Sequence, residues 1–236
     1  MTRAAFRRAR RPEHKQQRRE AILAAARELA RTSGVRNVSL GAVADAVGLA
    51  KSNIVRYFGT REEIYLELLA AEWHAWADAV AAALRDEPPG QAEGMRRVVS
   101  VLTGTLVERP LFCDLMSHSS NSLEHNVSVS AARTYKRTAI GVTAELGAQV
   151  APVAGLTARE GGELVGAACG LAGMLYPASN PPPAILQVYA EDPELAAACP
   201  RLEPTLTRAL TAIALGLPAL RDEPPEVKVS PRSRHS

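Results

Sequence analysis

Apolar positions recur at intervals of three and four along most of the chain, a period that predicts helices. From near Lys15, Ile22, Ala25, Ala26, Leu29 and Ala30 repeat with charges between them until Ser33-Gly34 ends the segment. Two short periodic stretches follow, Leu40–Val47 and Lys51–Phe58, joined by Gly48-Leu49-Ala50. Thr60, followed three residues later by Glu63, reads as a capping box. It opens a long helix to about Leu84 that carries Ile64, Leu68, Trp73, Trp76 and Val80, and Pro88-Pro89-Gly90 breaks it. Further helices are predicted over Glu93–Val107, Pro110–His118 and Leu123 to about Val150, the last capped by Asn121 with Glu124. A second capping box, Thr157 to Glu160, starts a helix to Tyr176; Pro183–Tyr189 is a weaker segment. A final helix over Pro204–Leu217 has Leu206, Leu210, Ile213 and Leu217 on one face. Val and Ile nowhere alternate with polar residues over strand length, so the predicted fold is all-α, with about nine helices.

Composition narrows the class. Hydrophobic residues make up 47% and charged residues 22% of the 236, which fits a folded protein and excludes wholesale disorder. The longest charge-free stretch, Leu164 to Ala190, is interrupted by Pro177, Asn180 and Pro181–Pro183, so no membrane span of about 20 apolar residues is expected. The basic N-terminus lacks the apolar stretch of an export signal. Cys113, Cys169 and Cys199 are sparse and widely spaced, which suggests a reducing compartment; the chain reads as cytoplasmic, with no cofactor.

Charge changes the picture more. Residues 1–61 hold fourteen Lys/Arg against four Asp/Glu, a net +10, while the remainder is net −7. A basic first quarter beside an acidic remainder points to a polyanion partner for the first part alone. Residues 1–14 read as a flexible basic arm, 15–60 as the unit that meets the polyanion, 61–218 as a second helical unit, and 219–236 as a flexible tail.

The twenty residues Leu40–Gly59 carry the chemistry. A helix-turn-helix needs a small residue where its helices cross, which is Ala44, and a residue tolerant of positive φ four positions later, which is Gly48. Val43, Val47, Leu49, Ile54 and Phe58 supply the apolar contacts between the helices. The face left exposed is Lys51, Ser52, Asn53, Arg56 and Tyr57, side chains that meet phosphates and base edges, with no acidic residue among them.

The segments Arg19–Ala26, Gly34-Val35, Val38-Ser39-Leu40, Ala44–Leu49 and Tyr57–Ile64 resemble the N-terminal domain of TetR-family repressors. The motif resemblance covers about Arg18 to Leu69, and Lys51-Ser52-Asn53 followed by two apolar residues resembles the branch that includes the pyrimidine-catabolism regulator. The resemblance implies a homodimeric, all-helical repressor that binds double-stranded operator DNA and is released by a small-molecule effector. It places Lys51, Ser52, Asn53, Arg56 and Tyr57 at the DNA-contacting positions of the recognition helix. Ser39 stands where its hydroxyl caps a helix and touches a phosphate, and Arg61 where the family usually has a phosphate-binding lysine. Ala50 replaces the family's usual Ser or Thr cap, and Val55 a common tyrosine.

Beyond that domain, Gly162, Gly166 and Gly170 form a row of small residues at intervals of four. Close packing inside one chain and self-association both account for such a row; the resemblance, with a dimer built on the last two helices, favours self-association through these glycines and Leu206, Leu210 and Ile213. Trp73, Trp76, Phe112, Met116, Tyr135 and Met174 are candidates for an effector pocket or for plain core. His118 and His125 beside Cys113 and Asp114 have no metal-ligand spacing, and Ser117-His118 lacks a nucleophile-elbow pattern, so neither a metal site nor catalysis is expected. The competing class, an all-α enzyme or adaptor with an incidental basic arm, leaves both the helix-turn-helix spacing and the charge split unexplained.

Overall fold

The computed structural model describes residues 3–85 and 91–221, and of residues 3–12, 91 and 92 the backbone alone. Among the described residues there are eleven α-helices, nine of them of seven or more residues, and no strand. The head comprises α1 (Arg3–Ser33), a 3-10 turn (Val35–Asn37), α2 (Leu40–Ala46) and α3 (Lys51–Ile54). The body follows with α4 (Arg61–Leu84), α5 (Gln91–Val107), α6 (Pro110–His118), α7 (Val129–Ala154) and α8 (Ala158–Ser179). It ends with α9 (Pro183–Glu191), α10 (Pro193–Ala198) and α11 (Leu202–Gly216). No single helix among the described residues is long and apolar enough to cross a membrane.

One apolar cluster runs through both parts. Ile22, Ala26 and Ala30 of α1, Val43 and Ala44 of α2, Ile54 and Phe58 all pack into the buried core that also holds Ile64, Leu68 and Leu69 of α4. The first half of α4 therefore completes the head, and its second half, with Trp73, Trp76 and Val80, belongs to the body. Thr60 caps α4 by accepting from the Glu63 N–H at 3.2 Å. The α7–α8 pair turns at Gly155, φ +71°, a left-handed conformation that glycine adopts without steric cost. The pair crosses closely: a Cβ on Gly161 would lie 2.2 Å from the Gly147 carbonyl oxygen, and one on Gly147 2.4 Å from the Gly162 nitrogen.

Several boundaries differ from the sequence reading for physical reasons. The first helix begins at Arg3 rather than near Lys15. Its Ala, Arg, Lys, Glu and Gln residues are strong helix formers, so the basic segment expected as an arm continues the helix. α7 starts at Val129, because Ser128 rather than Asn121 supplies the cap, accepting from Ala131 N at 3.2 Å. Ser119–Leu123 form a single π-helical turn instead. α3 stops at Ile54, and turns continue to Tyr57. α10 was not anticipated; Asp192 caps it and Pro193 occupies its first position, where a missing N–H costs nothing. The expected break at Pro88-Pro89-Gly90 and the tail from 222 onward lie outside the described residues.

The close crossing gives a direct expectation. Gly161→Ala should lower stability by roughly 1–3 kcal/mol through overpacking, whereas Gly166→Ala, whose added Cβ would meet only Thr143 Cγ2 at 4.0 Å, should not. Urea unfolding midpoints of the two variants check this.

A second expectation concerns acid. The second capping box forms as read: Thr157 Oγ1 accepts from Glu160 N at 3.3 Å, and Glu160 Oε2 from Thr157 N at 2.7 Å. Arg221 donates to both oxygens of Glu160, at 2.7 and 3.0 Å. These hydrogen bonds, led by Arg221 and working against burial, hold the Glu160 carboxyl at about 2. A depressed folded-state value contributes stability that is present above the ordinary value of 4.5 and is lost as pH falls from there towards 2. Arg221→Ala should therefore cost stability at pH 6 and much less near pH 2, as read from thermal melts across that range.

Candidate nucleic-acid interface

The turn between α2 and α3 is built by local chemistry. Gly48 sits at φ +64°, and Leu49 N donates back to Ala44 O at 2.9 Å, closing α2. Ala44 is buried where α3 crosses, and Ile54 and Phe58 anchor α3 and its following turn from beneath. Ser39 caps α2, its hydroxyl accepting from Ala42 N at 3.1 Å, which leaves its proton free to donate outward. Ala50 stands at the N-cap of α3 and gives no side-chain hydrogen bond.

Upon this support Lys51, Ser52, Asn53 and Arg56 are all exposed. None of the four makes a side-chain hydrogen bond or ion pair with a described residue. Val55 is 50% exposed among them, an apolar group on an otherwise polar face. Tyr57 is half-buried, and its carbonyl accepts from Arg19 Nη1 at 2.6 Å. A groove of about 560 Å³ beside this face is lined by Arg36, Ser39, Lys51 and Thr60. Arg36 was missed in the sequence because it lies in the turn before the motif; it is exposed and adds a cation beside Lys51.

Arg61 is placed differently from what the resemblance implies. Its guanidinium turns inward, donating to Val38 O at 2.5 Å and to Val35 O, with Tyr65 stacked at 4.7 Å. Burial pushes the Tyr65 hydroxyl up to about 12, with the nearby Arg61 opposing and Asp114 reinforcing the rise. From the other side Asp114 Oδ2 accepts from Val35 N at 2.7 Å. The 3-10 turn that precedes α2 is thus held by one cation from α4 and one anion from α6. Arg61 is a positioning residue in this arrangement.

The candidate pocket residues separate into two groups. Trp73, Trp76 and Phe112 are buried and packed edge-to-face or tilted, with ring centroids 5.3–5.9 Å apart. Trp76 Nε1 donates to Thr105 at 2.9 Å. The buried Tyr135 hydroxyl faces Trp73 and Ser119. Met116 is half-buried, packed where α6 crosses Gly173 of α8. Met174 is 62% exposed and lines no interior, because it lies on the outer face of α8.

The candidate dimer residues separate likewise. Leu206 and Leu210 are fully buried in the chain's own core, and Ile213 is half-buried, so the α11 face read as an interface packs within the body instead. The backbone of Gly162 is the surface on which Gly147 packs. Gly166 and Gly170 are exposed. His118 Nε2 lies 3.5 Å from Asp114 Oδ1, and His125 Nε2 lies 3.0 Å from Ser120 O. Among the described residues no group of three or more His, Cys, Asp or Glu is placed to hold a metal ion.

Residues 22–68 match the family described as bacterial regulatory proteins, tetR family, and residues 70–221 match the tetracyclin repressor-like C-terminal domain. The chain belongs to the TetR family. A search of curated protein sequences finds no match. Among solved structures, the Thermus thermophilus FadR, a TetR-family transcriptional repressor in complex with lauroyl-CoA, is 16% identical with a TM-score of 0.55. That alignment covers 90% of this chain and 98% of that one. The fatty acid degradation regulator FadR from Bacillus halodurans is 14% identical with a TM-score of 0.48, covering 84% and 97% of the two chains. At these identities the likeness concerns the fold. This TetR-family chain thus has a helix-turn-helix domain and a repressor-like C-terminal domain on one continuous core.

Arg61→Ala should loosen the Val35–Val38 turn. Losing its charged hydrogen bonds to buried carbonyls should cost about 1.5–3 kcal/mol of stability, measurable by urea unfolding without any DNA. A loss of DNA affinity with unchanged stability would instead assign Arg61 to a phosphate.

Proposed function

We propose that this TetR-family chain is a ligand-responsive transcriptional repressor that binds a pseudo-palindromic operator as a homodimer and leaves it when a small molecule binds the body. The observation that carries the reading is the exposed face of Lys51, Ser52, Asn53 and Arg56, unpaired within the described chain and lacking any carboxylate. Asn53 suits a base edge, bidentate to adenine, and Lys51 and Arg56 suit phosphates or guanine. Ser39 and Tyr57 add neutral phosphate contacts at the flanks. Val55 meets a thymine methyl.

Dimerisation is supported by the outer faces of α8 and α11. Gly166, Gly170 and Met174 are exposed on α8, and Leu215 is 65% exposed on α11. A second copy laid on these faces spaces two recognition helices across a dyad, with half-sites about 34–36 Å apart or a multiple of that.

Effector binding is supported by the interior between α4 and α7, where the Tyr135 hydroxyl, the Trp73 indole and Ser119 form a small buried polar cluster among aromatic rings. A few polar groups in an otherwise aromatic interior suit an amphipathic ligand. The lauroyl-CoA complex of the Thermus thermophilus FadR is a precedent for ligand binding in this fold. Switching requires that the effector bind the DNA-free arrangement more tightly than the DNA-bound one.

Light scattering at micromolar concentration should give twice the 25.2 kDa chain mass, and footprinting upstream of the gene should show a protected dyad. Asn53→Ala should reduce the ratio of operator to random-DNA affinity by about 1–3 kcal/mol at the contacted base pair, and Gly170→Leu should shift the mass towards monomer. A monomeric wild-type chain, or a footprint without a dyad, overturns this reading.

A further inference from the structure

Between α8 and α11 the chain forms a small helical hairpin that the body barely touches. α9 and α10 have no buried residue and pack chiefly on each other. At nine and six residues they are well short of the roughly 12–15 at which an isolated helix becomes marginal in water, so another surface must support them. The hairpin has side chains for such a surface: Ile185, Leu186, Val188 and Leu195 are 39–54% exposed. Its charge is one-sided. Residues 179–200 hold Glu191, Asp192 and Glu194 and no Lys, Arg or His. Asp192 is occupied as the cap of α10, whereas Glu191 and Glu194 have no cation among the described residues.

A surface of the opposite character lies on α7. Val129, Arg133, Arg137 and Ile140 follow one another at helical spacing and share a face. Val129 is 71% and Ile140 68% exposed. Gly147 lies on the same face, about two turns beyond Ile140, and there α8 covers it, a Gly147 Cβ falling 2.4 Å from the Gly162 nitrogen. α8 thus covers this face at one end of α7 and leaves it open at the other. Arg133 and Arg137 make no ion pair or hydrogen bond with a described residue, while Lys136 is held by Glu124 at 2.8 Å. No acidic residue falls between Val129 and Ile140.

We propose that the α9–α10 hairpin is an arm that crosses to a second copy of the chain and lies on the open face of that copy's α7. Glu191 and Glu194 meet Arg133 and Arg137, and the apolar side chains of the arm cover Val129 and Ile140. The inference rests on the homodimer reading and adds to it a surface outside α8 and α11, with two arms exchanged reciprocally. Two heads meet one side of a duplex when the dyad runs from the heads through the bodies, and rotation about that axis leaves every element at its own distance from the DNA. α7 begins beside the head, where Ser128 N reaches Glu63 at 3.0 Å. Gly147 meets Gly161 while Thr143 lies nearest Gly166, so α8 runs antiparallel to α7 and ends near the level at which α7 begins. The arm leaves α8 at that level, which is also the level of the open α7 face in a second copy.

The test uses the full chain and follows its dimer dissociation constant by sedimentation, after light scattering of the wild type has checked the homodimer reading itself. Two charge-reversed chains are made, one with Arg133→Glu and Arg137→Glu, the other with Glu191→Lys and Glu194→Lys. All four positions are exposed, so helix content by circular dichroism should match the wild type. Each reversed chain alone sets like charges against each other and should dimerise at least about tenfold more weakly. Their equimolar mixture should recover the wild-type constant, because each arm then meets the opposite charge on the other chain. Dissociation constants equal to wild type in both reversed chains overturn the proposal; a dimer that Gly170→Leu still disrupts would then leave the homodimer reading intact. Rescue when all four substitutions share one chain, but none on mixing, also overturns it, because the arm would then lie on its own α7. A monomeric wild type overturns both readings together.

Discussion

The turn between α1 and α2 buries Val35 and Val38 but belongs to no helix long enough to satisfy their backbone groups. Buried amides and carbonyls must find partners, and here the partners come from the body: Asp114 of α6 takes the Val35 N–H, and Arg61 of α4 gives to the Val35 and Val38 carbonyls. Gly34, at φ +82°, lets the chain leave α1 and enter this turn. The orientation of α2, and of the α3 face packed on it, therefore depends on two side chains that lie outside the helix-turn-helix. Removing either partner leaves a charge or a buried backbone group unsatisfied, which costs more than the bond itself contributes.

That arrangement gives the aromatic interior two short routes to the head. Phe112 packs edge-to-face on Trp73 and tilted against Trp76, and Asp114 follows it on the same helix. The tryptophans ride on α4, whose first residue is Arg61. A displacement of α6 against α4 moves both groups that hold the Val35–Val38 turn. Polar contacts also tie α1 to α4, through Arg19–Glu67 and Arg27–Glu72, and α7 to α4, through the Ser128 N–H on Glu63. Arg19–Glu67 is partly exposed and contributes little stability, whereas Glu72 is buried, so losing Arg27 would leave a buried carboxylate without its cation.

What the sequence disclosed follows from how far each interaction reaches along the chain. Ser39, Ala44, Gly48 and Thr60 act within their own turn or the next, so their spacing alone places the motif and its exposed face. Glu63 shows where this ends. It stands at the capping-box position, yet its carboxylate reaches Gly59 and Ser128, because the start of α7 arrives beside it. Nothing near Arg61 in sequence signals that its partners are the carbonyls of Val35 and Val38. Periodicity likewise told that Leu206 and Leu210 share a buried face but not what buries them. The answer is the body's own core, since a helical period is the same for an intramolecular and an intermolecular neighbour.

The glycines of α8 sharpen that distinction. Gly161 and Gly173 lie on the inner face, where a Cβ would strike Gly147 O at 2.2 Å and the Met116 backbone at 3.2 Å, so packing within the chain accounts for both. Gly166 and Gly170 lie on the opposite face, and an added Cβ there meets nothing closer than Thr143 Cγ2 at 4.0 Å. A mid-helix glycine is less favourable than alanine by about 0.8–1.0 kcal/mol, and no contact within the described chain offsets this at either position. A second helix laid against the face would do so, because two glycines four apart leave a groove that admits a close backbone. Met174 continues that line one turn further, 62% exposed, with an apolar side chain that gains from being covered. Among the described residues only the inner row meets a neighbour within the chain, and the self-association proposed through the outer row rests on that difference.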